Sequence, residues 1–325
     1  MDLGSILQIE HIGDDLARVE AALKESVATE DPFLTDVATH LIGAGGKRLR
    51  PVLVMACAAA VDGYRTKCTD DAITGAVAVE LVHLGSLYHD DVIDEAETRR
   101  GVQSVNARWN NVIAILAGDF LLARASENAA RLGTEVAGLL AATIGELCGG
   151  QVLELRHAFN VDRDLPAYEG AIDGKTSALM ATSCRIGALV AGHDRPVVDG
   201  LTQFGRQLGA LFQIVDDLLD VTATDEQLGK PAGQDLVEGI YTLPVLYALE
   251  ESAELRDILG QPLDADQRER ARALVHETDG VERATARAQE TADAAARTIQ
   301  SLDGLDAELV DSLTRLTGSL VDRGS

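Results

Sequence analysis

Residues Ala72 to Asp94 read AITGAVAVELVHLGSLYHDDVID, and the way this stretch must wind decides the fold. Alanine, valine and leucine do not alternate here as in a half-buried strand. They recur at helical spacing and surround Glu80, His83, His89 and Asp90 with apolar neighbours. The spacing predicts one long helix over about 72–93. Upstream, Val52 to Val61 (VLVMACAAAV) is apolar all round, as in a buried helix that Pro51 starts. Downstream, the same periodicity predicts helices near 102–131, 134–157, 171–192, 196–222, 243–252, 265–277, 281–302 and 305–321. Asp164 before Pro166 and Asp194 before Pro196 are candidate helix caps. Aromatic residues make up 3% of the chain, and runs of β-branched residues at period two are missing. The expectation is an all-α protein with a single domain over 1–325. Its motifs fall within about 30–250, and 251–325 form peripheral C-terminal helices where the composition turns charged.

The chain has 325 residues, long enough for a sizeable core, with 53 acidic against 28 Lys and Arg side chains and a net charge of −25. Such a balance argues against nucleic acid as a partner, because phosphate backbones demand basic faces. Cys57, Cys68, Cys148 and Cys184 form no C-x-x-C pair, which fits a reducing compartment. Met1-Asp2-Leu3-Gly4 has neither the positive nor the apolar part of a secretory signal. The apolar stretches read as too short for a transmembrane segment. A cytoplasmic protein is expected.

Two carboxylate clusters share one spacing: Asp90, Asp91 and Asp94 in HDDVID, and Asp216, Asp217 and Asp220 in VDDLLD. On a helix the i and i+4 members lie on one face, so Asp90 converges with Asp94 and Asp216 with Asp220. Asp91 and Asp217 point about 100° away, into position to support or bridge the others. Carboxylates stacked in apolar runs are costly unless a cation sits between them, and all-oxygen ligation suits magnesium. Solvated acidic helix ends would leave the same pattern in so acidic a chain. Two copies, each closing an apolar stretch, favour the metal.

Lysines number only five, so the placement of cations is informative. Gly45-Gly46-Lys47-Arg48-Leu49-Arg50 is a glycine turn with three cations feeding a helix start, an anion-binding arrangement. Arg99-Arg100-Gly101 follows the first aspartate cluster, Lys230 follows the second, and Lys175-Thr176 lies between them. Metal on carboxylates together with arginine and lysine is what a diphosphate needs to be held and ionised. His83 lies two turns before Asp90 on the same face. A lone histidine in an apolar helix is most often a satisfied core group; the cluster beyond it favours a ligand contact.

These motifs, continued by Gly118-Asp119-Phe120, Gly174-Lys175-Thr176, Phe212 to Asp220, Leu228-Gly229-Lys230 and Gly233 to Leu236, stand in an order that resembles the trans-polyprenyl diphosphate synthases over roughly residues 30–250. The resemblance implies the isoprenoid synthase helical bundle with a central apolar cavity, a homodimer, and head-to-tail elongation of an allylic prenyl diphosphate by isopentenyl diphosphate. It implies that Asp90, Asp94 and Asp216, with Asp220 close by, hold more than one Mg2+ on the allylic diphosphate. Arg99, Lys175 and Lys230 would touch that diphosphate, while Lys47, Arg50, His83 and Arg100 would hold isopentenyl diphosphate. Thr176 and Gln213 would line the place where the allylic cation forms.

Product length is expected to depend on Gly85 and Ser86, one turn (about 5.4 Å) before Asp90. Large aromatics here block short-chain members of the family; both residues are small in this chain. That implies a product of about thirty to fifty carbons, as in quinone side chains, unless Leu122 or Phe120 plugs the path. At Ile240 the chain departs from the family, which commonly has lysine there, so one diphosphate contact is absent or supplied from elsewhere. Competing readings are a short-chain synthase, a terpene cyclase, a non-catalytic subunit of a heteromeric synthase and an acidic calcium-binding helical protein. The cationic loop and six retained aspartates favour elongation.

Overall fold

The computed structural model describes residues 11–61, 66–224 and 232–324. Its elements are α1 (Ile12–Ser26), α2 (Pro32–Gly43), α3 (Leu49–Ala58), α4 (Asp70–Ile93), a hairpin of β1 (Thr98–Arg99) and β2 (Val102–Gln103), α5 (Val105–Arg108) and α6 (Asn111–Arg131). They continue with α7 (Thr134–Arg156), α8 (Leu165–Ile172), a π-helical turn (Asp173–Ser177), α9 (Ala178–Val190), α10 (Arg195–Thr222) and α11 (Gln234–Val237). The last are α12 (Leu243–Glu251), α13 (Ala253–Ile258), α14 (Ala265–His276), α15 (Gly280–Gln300) and α16 (Ala307–Gly324). The fold is all-α, and the chain divides into two compact units. One comprises Met1–Ile144, Leu179–Gly205 and Leu302–Leu313; the other comprises Gly145–Ala178, Arg206–Ser301 and Thr314–Ser325.

In the first unit α4 packs against α1, α3 and α6. The Thr69 hydroxyl starts α4 by accepting the Ala72 N–H at 3.2 Å. From Gly75 to Val82 the helix is buried on all sides, which explains why its pattern has no polar stripe there. Glycines set how closely the helices approach. A Cβ on Gly187 of α9 would lie 2.1 Å from the Val54 carbonyl oxygen of α3, and one on Gly118 of α6 would lie 2.2 Å from His89 Nε2. α3 is buried at every residue from Pro51 to Cys57, as its composition predicts.

In the second unit α12 packs on α15, where a Cβ on Gly280 would meet the Pro244 carbonyl oxygen at 2.5 Å. Ala284, Ala288, Ala292 and Ala295 form the buried stripe of α15, so the charged tail is amphipathic helix.

Two predicted helices need correction. The span 102–131 is a hairpin, a single turn and then α6, because Arg100 (φ 54°) and Gly101 (φ 77°) take left-handed conformations that reverse the chain. The span 171–192 is broken by the π turn at Asp173–Ser177, and the helix before it begins earlier, at Leu165. Asp164 and Asp194 do cap, accepting from Ala167 N at 2.9 Å and Val197 N at 3.2 Å. A third correction concerns length: α7, with 23 residues, is long and apolar enough to cross a membrane, although no such stretch was expected.

The close approach at Gly187 predicts that Gly187→Ala loses about 1–3 kcal/mol in urea unfolding, since backbone must move to admit the methyl. Gly138→Ala, whose added Cβ meets nothing within 4 Å on exposed α7, should leave stability unchanged or slightly raised.

Candidate active site

In the first unit the functional side chains sit on α4 and on two loops. Along α4, His83, Ser86, Leu87 and Asp90 are partly exposed, while Leu81, Val82, Leu84, Gly85 and Tyr88 are buried, so one face of an otherwise buried helix is open. Asp94 is exposed and closes the helix, its N–H donating to the Asp90 carbonyl at 2.8 Å. Asp91 is fully buried and points elsewhere. Its Oδ1 accepts from Arg99 Nε at 2.7 Å and lies 2.6 Å from Arg99 Nη2, while burial raises its carboxyl above the usual range. Arg99, read from sequence as a diphosphate contact, is therefore held by Asp91. Asn106 Nδ2 donates to the carbonyls of Asp91 and Ala96, both at 3.0 Å, and fixes the end of the helix.

The hairpin aims Arg100 at the glycine loop. Its Nη1 donates to the Gly45 carbonyl, and its Nη2 lies 3.5 Å from His83 Nε2. A Cβ on Gly46 would stand 2.8 Å from that guanidinium, so position 46 needs glycine for this approach as well as for its φ of 152°. Arg48, in the left-handed region at φ 50°, precedes α3 and is buried. Its guanidinium donates to Glu20 Oε1 at 2.5 Å, Glu80 Oε1 at 2.8 Å and the Ile42 carbonyl at 3.1 Å. Lys47 is exposed and Arg50 partly buried. Burial and then the Arg50 and Arg100 charges hold the His83 imidazole well below its ordinary range. Arg50, His83 and Arg100 thus belong to one cationic region with a neutral histidine, and Lys47 is exposed beside Arg48 in the same loop. The sequence reading missed Glu20, Glu80 and Arg48 as functional residues; Glu80, an acid in an apolar helix one turn before His83, was the available signal.

In the second unit, the π turn and α10 carry the remaining groups. Cβ atoms on Gly150 and Gly174 would stand 2.5 Å from Lys175 N and 2.8 Å from the Glu146 carbonyl oxygen, so both glycines permit the C-terminal part of α7 to touch the turn. Lys175 Nζ donates to Glu154 Oε1 at 2.5 Å, an acid the sequence did not single out. Thr176 Oγ1 donates to Gln213 Oε1 at 2.7 Å, Gln213 Nε2 to Asp217 Oδ1 at 2.8 Å, and Tyr168 Oη to Asp217 Oδ2 at 2.6 Å. The chain of bonds fixes which way the Gln213 amide faces. Burial pushes the Asp217 carboxyl up to about 7. Asp216 is exposed, 4.0 Å from Arg323 Nη2, whereas Asp220 is buried and accepts the Asp235 N–H at 3.2 Å. Lys230 lies outside the described residues.

Among the described residues, no three His, Cys, Asp or Glu side chains gather as a ready metal cage. Asp90 and Asp94 stand one turn apart at the end of α4, and Asp216 and Asp220 one turn apart on α10, all oxygen donors of the kind a hard cation takes together with water and substrate oxygens.

At position 85 a Cβ would meet the Gly118 carbonyl oxygen at 3.1 Å and Leu122 Cγ at 3.2 Å, so Gly85 lies against α6 beside Leu122, the residue named above as a plug for the product path. Ser86 is on the open face, its Oγ donating to the His83 carbonyl at 2.9 Å. Tyr88 turns away, donating to the Val37 carbonyl at 2.7 Å.

The polyprenyl synthetase family model matches residues 31–278. Heptaprenyl diphosphate synthase component 2 of Geobacillus stearothermophilus is 42% identical over 309 residues, covering 94% of this chain and 94% of that protein. The nonaprenyl diphosphate synthase of Mycobacterium tuberculosis is 39% identical over 290 residues, 87% of this chain and 85% of that one. A crystal structure of a polyprenyl synthase from Caulobacter crescentus, complexed with calcium and isoprenyl diphosphate, superposes with a TM-score of 0.90 at 30% identity, covering 99% of this chain and 98% of the other.

In an NMR pH titration, the His83 ring should stay neutral through pH 6, below the midpoint near 6.5 of an unperturbed imidazole. A midpoint at or above 6.5 would contradict the described environment.

Proposed function

The chain belongs to the polyprenyl synthetase family and is a prenyltransferase, and from that premise we propose that it condenses isopentenyl diphosphate with an allylic prenyl diphosphate, using magnesium, to make a polyprenyl diphosphate of about thirty to fifty carbons. The observation that carries the reading is the cationic region of the first unit, where Arg100 lies across Gly46 beside a neutral His83. Diphosphate oxygens suit these groups: guanidinium donors for the charge and a ring N–H for an oxygen lone pair. We assign isopentenyl diphosphate to Lys47, Arg50, His83 and Arg100.

Asp90 and Asp94 in one unit, and Asp216 and Asp220 in the other, are the proposed magnesium ligands. When bound, the metal supplies positive charge that makes the allylic diphosphate a better leaving group. Asp91 holds Arg99 and Glu154 holds Lys175; these are the cations we assign to the allylic diphosphate, together with Lys230. The Gln213 carbonyl, oriented by Thr176 and Asp217, presents an oxygen dipole suited to a carbocation. The proton lost after carbon–carbon bond formation goes to the departing diphosphate.

The long product is supported by Ser86, small and on the open face of α4, and by the seven- and nine-unit products in the names of two relatives. We further propose a cytoplasmic homodimer. Val112, Ile115 and Leu116 of α6 are exposed, with Val112 at 64%, as are Val152 and Leu155 of α7, and such apolar faces suit a second copy of the chain. One relative is named component 2 of its synthase, so the alternative is a separate protein partner.

Chromatography of dephosphorylated products from the purified chain, supplied with both substrates and magnesium, tests this reading. The expected product exceeds twenty carbons, and Ser86→Phe should shorten it while condensation continues. A wild-type product of ten to twenty carbons would overturn the long-chain assignment, and no product from the chain alone would favour the heteromeric alternative.

A further inference from the structure

Glu80 is an acid deep within the cationic region. Its side chain is 2% exposed and lies three residues before His83 on α4, with Oε1 2.8 Å from Arg48 Nη1, whose own side chain is 3% exposed. Arg48 is not among the residues assigned to substrate. Its guanidinium is already engaged by Glu20, Glu80 and the Ile42 carbonyl, so it has little left to offer a ligand.

The loop it belongs to is conformationally demanding. Gly45 (φ 81°), Gly46 (φ 152°) and Arg48 (φ 50°) all have positive φ, and for arginine that conformation is unfavourable without an anchor. Lys47 precedes Arg48 in this loop, and Arg50 follows it in the first turn of α3. Glu80 also supports neighbours it does not touch. Burial lowers the pKa of Arg50 and of Arg100, and the Glu80 charge is the strongest influence opposing that loss in each. Arg48, Arg50 and Arg100 repel one another in partly dry surroundings; a carboxylate fixed on the helix behind them offsets that repulsion before any diphosphate arrives.

We propose that Glu80 is a positioning residue for isopentenyl diphosphate: through Arg48 it pins the Gly45–Arg50 loop, and its charge keeps the loop arginines packed when substrate is absent. This inference rests on the assignment of the first unit's cations to isopentenyl diphosphate. It makes Glu80 part of the binding arrangement without contact to substrate. An anion near an anion site also has the opposite effect, since its field weakens the pull on a diphosphate. The buried ion pair and strained loop decide between these effects: pinning dominates if losing the charge weakens binding.

The test is steady-state kinetics on Glu80→Gln, Arg48→Met and the double variant, varying each substrate separately. Gln preserves shape and an acceptor oxygen, so the comparison isolates charge. Glu80→Gln is expected to raise the KM for isopentenyl diphosphate about tenfold while the KM for the allylic substrate stays within twofold. The double variant should be no worse than Arg48→Met alone, because both changes break the same link. Glu80→Asp should recover part of the loss, which distinguishes charge from packing. An unchanged or lowered isopentenyl KM in Glu80→Gln, or additive losses in the double variant, would overturn the proposal. If Arg50→Ala raised only the allylic KM, the substrate assignment would fail instead, and that outcome is separable from the first. Should Glu80→Gln not fold, equilibrium binding of isopentenyl diphosphate to Arg48→Met, read by calorimetry, decides the matter: weakening of about tenfold supports the pinning and unchanged affinity refutes it.

Discussion

A charge taken out of water among apolar helices is costly unless an opposite charge or several hydrogen bonds meet it. The functional groups of each unit are held by such meetings. Glu80 and Glu20 receive Arg48, Asp91 receives Arg99, Glu154 receives Lys175, and Tyr168 with Gln213 satisfies Asp217. Asp90, partly exposed, and Asp94 and Asp216, exposed, lie nearer the solvent. Breaking a buried pair by removing one partner typically costs about 3–5 kcal/mol, a range that applies to Arg48 and Glu80, while the partly exposed pairs hold their cations more weakly. That is preorganisation in a physical sense, since the orientation of arginines and of the Gln213 amide is fixed during folding.

Close glycine contacts make the arrangement possible. Gly46 admits the Arg100 guanidinium, Gly118 admits the His89 ring, and Gly150 and Gly174 let helix backbone touch the π turn that carries Lys175 and Thr176. Any side chain at these points would push a functional group out of position. The glycines in the motifs are therefore spacers as much as turn residues, and an alanine replacement would act on function through geometry.

The helical periodicity of Ala72–Asp94, the all-round apolar character of α3 and the helix at 281–302 were legible because each follows from local spacing. The aspartate clusters were legible for the same reason, with Asp91 and Asp217 separated from their neighbours by the 100° step of a helix. The hairpin at 98–103 was missed because two left-handed residues, not a pattern, create it. Glu154 and Tyr168 were missed because their partners lie 21 and 49 residues away in the sequence. Gly85 and Ser86 were named together from helical spacing and the family resemblance, but that Gly85 lies against Leu122 of α6 while Ser86 is on the open face is a matter of tertiary packing that periodicity cannot resolve.

The condensation proposed for this chain depends on magnesium held by paired aspartates in both units. Following diphosphate release from isopentenyl and allylic diphosphates, with wild type, Asp90→Ala and Asp216→Ala each in magnesium and in excess chelator, puts that dependence to the test. The expected result is a loss of about a thousandfold or more in both variants, with helical content unchanged, and the same loss for wild type in chelator. Full turnover of wild type in chelator, or of either variant in magnesium, would contradict it.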